Sequence, residues 1–138
     1  MKPILIDTNA YAAYRHGNVA AKELIEAAPR VGVSVVVLAE LLTGFRLGRY
    51  WQKNFDDLQA FLSWPGVEIL SIESETARRY SELSVELRRA GTPIPTNDLW
   101  IAATALATGF GILTYDAHFR RIPGIIVGTT ANDFGESA

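Results

Sequence analysis

Apolar residues occur along the chain in two alternating patterns, short unbroken runs and longer stretches in which they recur at helical spacing. The short runs are rich in Ile, Leu and Val, which is typical of buried strands. They predict β-strands at residues 4–6, 31–35, 67–70, 112–114 and 125–127. The longer stretches predict α-helices at residues 9–16, 19–28, 35–45, 51–62, 77–87 and 97–108.

Residues that favour helix ends support these boundaries. Ser34 and Thr96 precede two of the predicted helices, and their hydroxyls are expected to cap the helix N-termini. Gly109 follows the last helix, and Gly91 and Pro93 follow the helix before it. Strands and helices therefore alternate through most of the chain.

Alternating strands and helices require crossover connections, which predict a mainly parallel five-stranded sheet with helices on both faces. The expected fold class is α/β, a three-layer α/β/α sandwich. No repeat, low-complexity tract or linker-like stretch divides the chain, so residues 1–138 are expected to form a single domain. Ligands of such sheets bind beyond the carboxyl ends of the strands, where we therefore expect the functional side chains.

The composition is that of an ordinary globular protein, with 138 residues of which 49% are hydrophobic and 20% charged. No apolar run approaches the length of a membrane span, and the first run ends at Asp7, which argues against a signal peptide. We therefore expect a cytoplasmic protein that does not bind a membrane. The absence of cysteine excludes disulfides, a thiolate nucleophile and Cys-ligated zinc.

The net charge is −2, from 13 basic and 15 acidic residues, and by itself it argues against a nucleic-acid partner. If four carboxylates are gathered in a metal site, however, 13 basic residues face 11 remaining acids and the rest of the surface carries +2. Basic residues also occur in groups on the predicted helices. Solvated helix faces explain these groups at least as well as bound nucleic acid does, so charge gives this partner only weak support.

Three acidic residues stand where predicted elements begin or end. Asp7 follows the first strand, Asp116 follows the fourth, and Asp98 lies in the first turn of the last helix. Each has a structural explanation when taken singly, since Asp7 suits a helix cap, Asp116 a turn and Asp98 the positive end of a helix dipole. Carboxylates at the exits of two core strands nevertheless indicate a shared site at one edge of the sheet.

Glu40 has no such simple explanation. One face of its helix is formed by Leu38, Leu41, Leu42 and Phe45. Glu40 points nearly the opposite way, and its neighbours there are also mostly apolar: Val36, Val37, Gly44 and Leu47. A buried, unpaired carboxylate costs several kcal/mol or becomes neutral, so Glu40 is expected to have a partner.

If the four acids converge, a cation must offset their repulsion, and no Lys or Arg is an obvious partner in the sequence. An all-oxygen site without cysteine or paired histidine favours a hard ion, Mg²⁺ or Mn²⁺. His16 and His118 are too isolated for a histidine metal site, and His118 is expected to be a surface residue beside the fourth acid. Because carboxylate-bound Mg²⁺ takes phosphate oxygens as further ligands, the set indicates phosphodiester hydrolysis.

Four segments of the chain, taken together, resemble the PIN domain family. They are ILIDTN at residues 4–9, LAEL at 38–41, PTNDLWIAATA at 95–105 and ILTYDAHF at 112–119. They occur in order over nearly the whole chain, which is more narrowly similar to the VapC-type toxins of bacterial toxin–antitoxin pairs. The resemblance implies a small α/β sandwich that acts as a Mg²⁺- or Mn²⁺-dependent endoribonuclease.

The resemblance also implies the site residues. The family's acidic quartet is matched by Asp7, Glu40, Asp98 and Asp116. The polar residues that accompany the quartet are matched by Thr8, Asn9 and Thr114. Asp7 and Asp98 are expected to be the most direct metal ligands, and the other two acids to act partly through water. The Thr114 hydroxyl is expected to hydrogen-bond near the metal.

Three partners follow from the resemblance: an RNA substrate, a cognate antitoxin that wraps the toxin and obstructs its site, and commonly a second copy in a homodimer.

The core stripe of the 51–62 helix is expected to be Trp51, Phe55, Leu58 and Leu62. Phe61 and Trp64 add aromatic surface beyond that stripe. Together with Val36, Val37 and Leu47 they predict a groove for an apolar antitoxin segment.

The sequence does not indicate which RNA is cleaved, because specificity comes from shape and basic surface. The residues expected to contact the RNA backbone are Arg15, Arg46, Arg49 and Lys53.

Two alternatives belong to other functional classes. A receiver-type signalling domain also gathers acids around Mg²⁺ at strand ends, but it needs a lysine near the site. The lysines of this chain, Lys2, Lys22 and Lys53, do not follow a late strand. The other alternative is a catalytically inactive PIN-like module that only binds RNA or protein, and the intact quartet argues against it.

Overall fold

Five parallel strands form one sheet in the computed structural model, which describes residues 1–135. The strands are β1 (Ile4–Ile6), β2 (Val31–Ser34), β3 (Val67–Leu70), β4 (Gly111–Leu113) and β5 (Val127–Gly128). Their order across the sheet is β3-β2-β1-β4-β5. Residues 136–138, the end of the predicted domain, lie outside the described residues.

Helices occupy most of the chain between the strands. They are α1 (Thr8–Arg15), α2 (Val19–Ala27), α3 (Val35–Leu47), α4 (Trp51–Leu62), α5 (Ser74–Arg89) and α6 (Thr96–Thr108). Short 3₁₀ segments, Ala117–Arg121 and Ala131–Phe134, follow β4 and β5. Within residues 1–135 no helix combines the length and the apolar character needed to cross a bilayer.

The central strands are covered on both faces. Every residue of β1 is fully buried, and so are Ile112 and Leu113 of β4. Because adjacent residues of a strand point to opposite faces, this burial requires helices on both sides of the sheet. Each such aliphatic side chain contributes roughly 1.5–3 kcal/mol by leaving water. The predicted α/β class, a three-layer sandwich around a parallel sheet, is confirmed.

Several helix ends match the predicted local chemistry. Ser34 caps α3 because its hydroxyl accepts a hydrogen bond at 3.1 Å from the backbone amide three residues later. Asp7 caps α1 in the same way, at 2.7 Å. Helix α6 ends at Gly109, whose φ of +79° lies in the left-handed region that favours glycine.

Two predicted boundaries are wrong. Thr96 is the first residue of α6 rather than its cap, since Pro95 adopts the extended N-cap conformation and its carbonyl accepts the first helical hydrogen bond. Strand β5 covers Val127–Gly128 rather than residues 125–127, because its pairing with β4 starts at Val127, opposite Ile112. The other predicted ends differ from the observed ones by three residues at most.

The buried face of α4 also differs from the prediction. Phe61, expected at the surface, is 2% exposed, and Trp51, expected in the core, is 43% exposed. Phe61 packs against Tyr11 and Tyr14 of α1, with ring centroids 5.4 and 5.3 Å away. Trp51 is the first residue of α4, and the guanidinium of Arg46 lies over its partly exposed ring, 5.8 Å from the ring centroid.

The order of the strands brings β1 and β4 side by side at the centre of the sheet. After β1 the chain builds outward through β2 to β3, and then returns to the other side of β1 to form β4 and β5. This reversal opens a crevice at the carboxyl ends of β1 and β4, which is where open α/β sheets bind ligands. Asp7 follows β1 and Asp116 follows β4 at that edge.

Candidate active site

Four acidic side chains meet at the crevice between β1 and β4. The cavity there has a volume of about 160 Å³ and is lined by Asp7, Thr8, Asn9, Glu40, Asp98, Ile101 and Asp116. Each acid comes from a different element: the end of β1, the middle of α3, the first turn of α6 and the start of a 3₁₀ segment. The fold therefore gathers at one place the acids that the sequence separates widely.

Asp7 is the most buried of the four, with 5% of its surface exposed. One carboxylate oxygen caps α1 through the Ala10 amide, and the other accepts a hydrogen bond from the Thr114 hydroxyl. Burial raises the pKa of Asp7, the bonds from Thr114 and Ala10 lower it, and the charges of Asp116 and Asp98 raise it again. The capping role is confirmed, and the same carboxylate lines the acidic cavity.

Thr114 connects two of the acids. It is 2% exposed, and its hydroxyl donates to Asp7 while accepting a hydrogen bond at 2.9 Å from the backbone amide of Asp116. A single buried hydroxyl therefore fixes the exits of β1 and β4 relative to each other. This arrangement agrees with the expectation that Thr114 hydrogen-bonds within the site.

Glu40 is half-buried, and both of its carboxylate oxygens accept hydrogen bonds. The Thr8 hydroxyl donates to one at 2.7 Å, and the Asn97 side-chain amide donates to the other at 3.3 Å. The expectation that Glu40 has partners is confirmed, although both partners are neutral side chains. Asn97 was not predicted as a site residue, and its only signal in the sequence is its position next to Asp98.

Asp98 and Asp116 share a third neighbour, His118. The His118 Nδ1 lies 3.4 Å from Asp98 Oδ2 and 3.1 Å from Asp116 Oδ1. Burial raises the pKa of Asp98, the hydrogen bond and charge of His118 lower it, and the charges of Asp116 and Glu40 raise it. His118 is exposed, as expected, but its ring belongs to the acidic cluster. The spacing D-A-H after β4 is the signal that the sequence offers for it.

The cluster fits a divalent cation. Within residues 1–135, His118 is the only basic side chain that pairs with any of the four acids. The remaining negative charge is therefore not balanced by Lys or Arg, and oxygen-rich sets of this kind suit hard divalent ions. Donor atoms of Asp98, Asp116 and His118 already lie within 4.8 Å of one another.

The four basic residues predicted to contact RNA lie outside this cavity. Arg15 and Lys53 both pair with Asp57, at 2.9 and 3.4 Å. Arg46 lies over an aromatic ring of α4, and Arg49 is exposed. Contact between these four side chains and RNA stays a prediction.

The chain is similar to known proteins over most of its length. A family model described as PIN domain matches residues 4–125, a range that includes all four acids. Ribonuclease VapC5 of Mycobacterium tuberculosis is 30% identical over 120 residues, which cover 87% of this chain and 87% of that protein. Ribonuclease VapC2 of Rickettsia felis is 33% identical over 128 residues, covering 89% and 94%.

The fold is similar to solved structures as well. A structure of VapBC-5 from Mycobacterium tuberculosis, a member of the VapBC family of toxin–antitoxin systems, matches with a TM-score of 0.72 and 25% identity. The match covers 94% of this chain and 98% of the chain in that structure.

Proposed function

The chain belongs to the PIN domain family, and from this we propose that it is a divalent-metal-dependent endoribonuclease, the toxin of a toxin–antitoxin pair. The meeting of four acidic side chains around one cavity is the observation that carries the proposal. Relatives that match most of the chain are ribonucleases by name. The similar structure of VapBC-5 belongs to a family of toxin–antitoxin systems, which supports an antitoxin as partner.

The acidic quartet is the proposed catalytic site. Asp7 and Asp98 are its most direct metal ligands, and Glu40 and Asp116 complete it partly through water. When bound, a divalent cation lowers the pKa of a coordinated water and stabilises the charge that develops on the phosphate during hydrolysis. We propose Mg²⁺ or Mn²⁺ as this ion, because the donor set is dominated by carboxylate oxygens.

Neutral side chains hold the acids in position. The Thr114 hydroxyl orients Asp7, and the Thr8 hydroxyl orients Glu40. Asn9 is exposed and lines the cavity, and we propose that its amide contacts an incoming phosphate. These polar residues supply fixed dipoles where solvent would otherwise have to reorganise.

The proposed function is tested by incubating the purified protein with total cellular RNA. Cleavage is expected in millimolar Mg²⁺ or Mn²⁺, to stop in excess chelator and to resume when the ion is restored. Sequencing of the new RNA ends identifies the substrate. Cleavage that persists unchanged in chelator contradicts the metal-dependent mechanism.

The acidic cavity also predicts how stability depends on metal and pH. Burial raises the pKa values of Asp7 and Asp98 above 3.8, so between 3.8 and the raised values the folded protein binds more protons than the unfolded chain. The metal-free protein therefore loses stability as pH rises through that window. At pH values above this window, Asp7→Asn is expected to raise the melting temperature of the metal-free protein. At pH values below the window, the substitution is expected to change the melting temperature less.

A bound divalent cation is expected to relieve the repulsion between the negative charges of the four acids. An ion at about a hundred times its Kd stabilises the wild type by roughly 2.7 kcal/mol, on the order of 10 °C in melting temperature for this length. Thermal unfolding with chelator, Mg²⁺ or Mn²⁺ measures both effects, with the exposed Asp56→Asn as the control variant. Melting temperatures that respond neither to the ions nor to Asp7→Asn indicate that the acids do not interact.

We propose that the antitoxin lies in the apolar groove along α3. This groove, of about 600 Å³, is lined by Val35, Val36, Ala39, Glu40, Thr43, Gly44, Leu47 and Asn97. Leu47 is 85% exposed. Val37 and Phe61, which were also predicted to line the groove, are buried in the core, and Trp64 is exposed but does not line this groove. Because Glu40 lines both the groove and the acidic cavity, a segment in the groove reaches the edge of the site.

Leu47→Asp is expected to weaken antitoxin binding about tenfold or more, because it places a charge in an apolar contact. RNA cleavage by the free toxin is expected to be unchanged. The affinity of each variant for the co-expressed antitoxin measures the effect. Val85→Asp is the matched control, since Val85 is an exposed apolar residue of α5. Equal inhibition of both variants by the antitoxin excludes this groove as its binding surface.

We propose that residues 1–138 act as a single PIN domain and that two copies pair as a homodimer. The RNA substrate makes the cytoplasm the proposed location. The exposed basic residues proposed to contact the RNA backbone are Arg15, Arg46, Arg49 and Lys53.

A further inference from the structure

His118 occupies a position that the acidic quartet alone does not explain. It is the second residue of the 3₁₀ segment that Asp116 begins, and its backbone amide donates to Asp116 Oδ1 at 2.9 Å. This turn places the backbone of His118 beside the cavity. The ring nitrogen Nδ1 then lies between Asp116 Oδ1, at 3.1 Å, and Asp98 Oδ2, at 3.4 Å.

In the metal-free protein these separations are hydrogen-bond distances, and they are also compatible with donor atoms around one ion. Neighbouring ligand atoms of an octahedral ion bound at about 2.1 Å are roughly 3.0 Å apart. The Nδ1 of His118 is near this separation from both carboxylate oxygens, so one ion can contact all three atoms after small side-chain rotations. The His118 side chain is 48% exposed, which leaves the ring free to make that rotation.

The nitrogen changes which ion the site favours. Mg²⁺ prefers oxygen ligands and retains its waters, whereas imidazole is a ligand of first-row transition metals. A donor set of several carboxylates and one imidazole therefore suits Mn²⁺, which accepts both ligand types. Glu40 and Asp7 add only oxygen atoms to the cavity, so His118 is the residue on which this discrimination depends.

We propose that His118 binds the catalytic cation through Nδ1, together with Asp98 and Asp116, and that this nitrogen gives the site a preference for Mn²⁺ over Mg²⁺. The inference rests on the proposed function in one respect, namely that the quartet binds a divalent cation. It differs from the expectation of an all-oxygen site with a histidine standing beside it.

Electron spin echo envelope modulation of Mn²⁺ bound to the protein tests the ligand directly. Nitrogen coupling is expected in the wild type, with the change in coupling pattern that ¹⁵N-histidine labelling produces. His118→Ala is expected to lose the coupling, and His16→Ala to keep it. The sequence contains two histidines, so this pair of variants identifies the ring. Wild-type Mn²⁺ without nitrogen coupling overturns the proposal, whether or not the protein cleaves RNA.

Calorimetric titration with Mn²⁺ and with Mg²⁺ tests the preference. His118→Ala is expected to weaken Mn²⁺ binding at least about tenfold and to change Mg²⁺ binding less than about threefold. His16→Ala is expected to match the wild type for both ions. Equal weakening of both ions by His118→Ala overturns the proposal and makes His118 a positioning residue for the carboxylates. A protein that shows nitrogen coupling but cleaves no RNA with either ion refutes the proposed function and leaves this inference standing.

Discussion

Asp7→Asn and Asp98→Asn are each expected to reduce metal-dependent RNA cleavage at least about a hundredfold. Each substitution removes the negative charge of one of the two residues proposed as the most direct metal ligands. A hundredfold loss corresponds to roughly 2.7 kcal/mol of transition-state stabilisation. Initial rates of cleavage of the identified RNA in Mg²⁺ and in Mn²⁺ measure the effect.

The fold is expected to survive both substitutions. An asparagine at position 7 still accepts the hydrogen bond that caps α1, which Asp7 makes at 2.7 Å. Circular dichroism and the melting temperature check that the loss is not an unfolding effect. Asp56→Asn, a change of the same kind on the exposed face of α4, is the control and is expected to keep full activity. Full activity in both site variants defeats the nuclease mechanism based on the quartet.

Thr114→Val is expected to weaken divalent-cation binding roughly 10–100-fold, the usual cost of losing a group that orients a metal ligand. The substitution keeps the volume of the side chain but leaves Asp7 without its hydroxyl donor and the Asp116 amide without its acceptor. Both acids are then free to move away from the geometry that the ion requires. Calorimetric titration with Mn²⁺ measures the change in affinity.

The matched control is Thr104→Val. Thr104 is also fully buried, but its hydroxyl bonds to the Trp100 carbonyl within α6, at 2.9 Å. Both variants lose one buried hydroxyl, so a difference between them reports the connection to the acids rather than a general loss of stability. Metal affinities that fall equally in the two variants rule out a positioning role for Thr114.

Much of the fold follows from local pattern. The apolar runs of the core strands, the caps at Asp7 and Ser34 and the glycine at 109 are encoded by neighbouring residues, and the structure agrees with them. The side of α4 that packs inward was not predicted, because Phe61 is buried by aromatic residues of α1, which are distant in sequence. The position of β5 likewise depends on its pairing with β4.

The acidic site could be predicted in part for a physical reason. Asp7 directly follows a core strand, and Glu40 lies on an apolar helix. Burial of a carboxylate at such positions costs folding free energy unless a hydrogen-bond partner or a cation compensates the charge. The order of the strands, which places β1 beside β4, cannot be predicted from any local segment of the sequence. The sequence predicts only that His118 lies at the surface, because an exposed histidine carries no burial signal. Its relation to Asp98 appears only when α6 and the 3₁₀ segment are brought together.

A crystal of the protein soaked in Mn²⁺ gives the most direct test of the central claim, that four acids from four elements form one binding site for a divalent cation. Anomalous diffraction is expected to show a peak in the cavity, within bonding distance of Asp7 and Asp98. Asp98→Asn crystals soaked in the same way are expected to lose most of that signal. A strong peak elsewhere on the chain, with none between these carboxylates, contradicts the account.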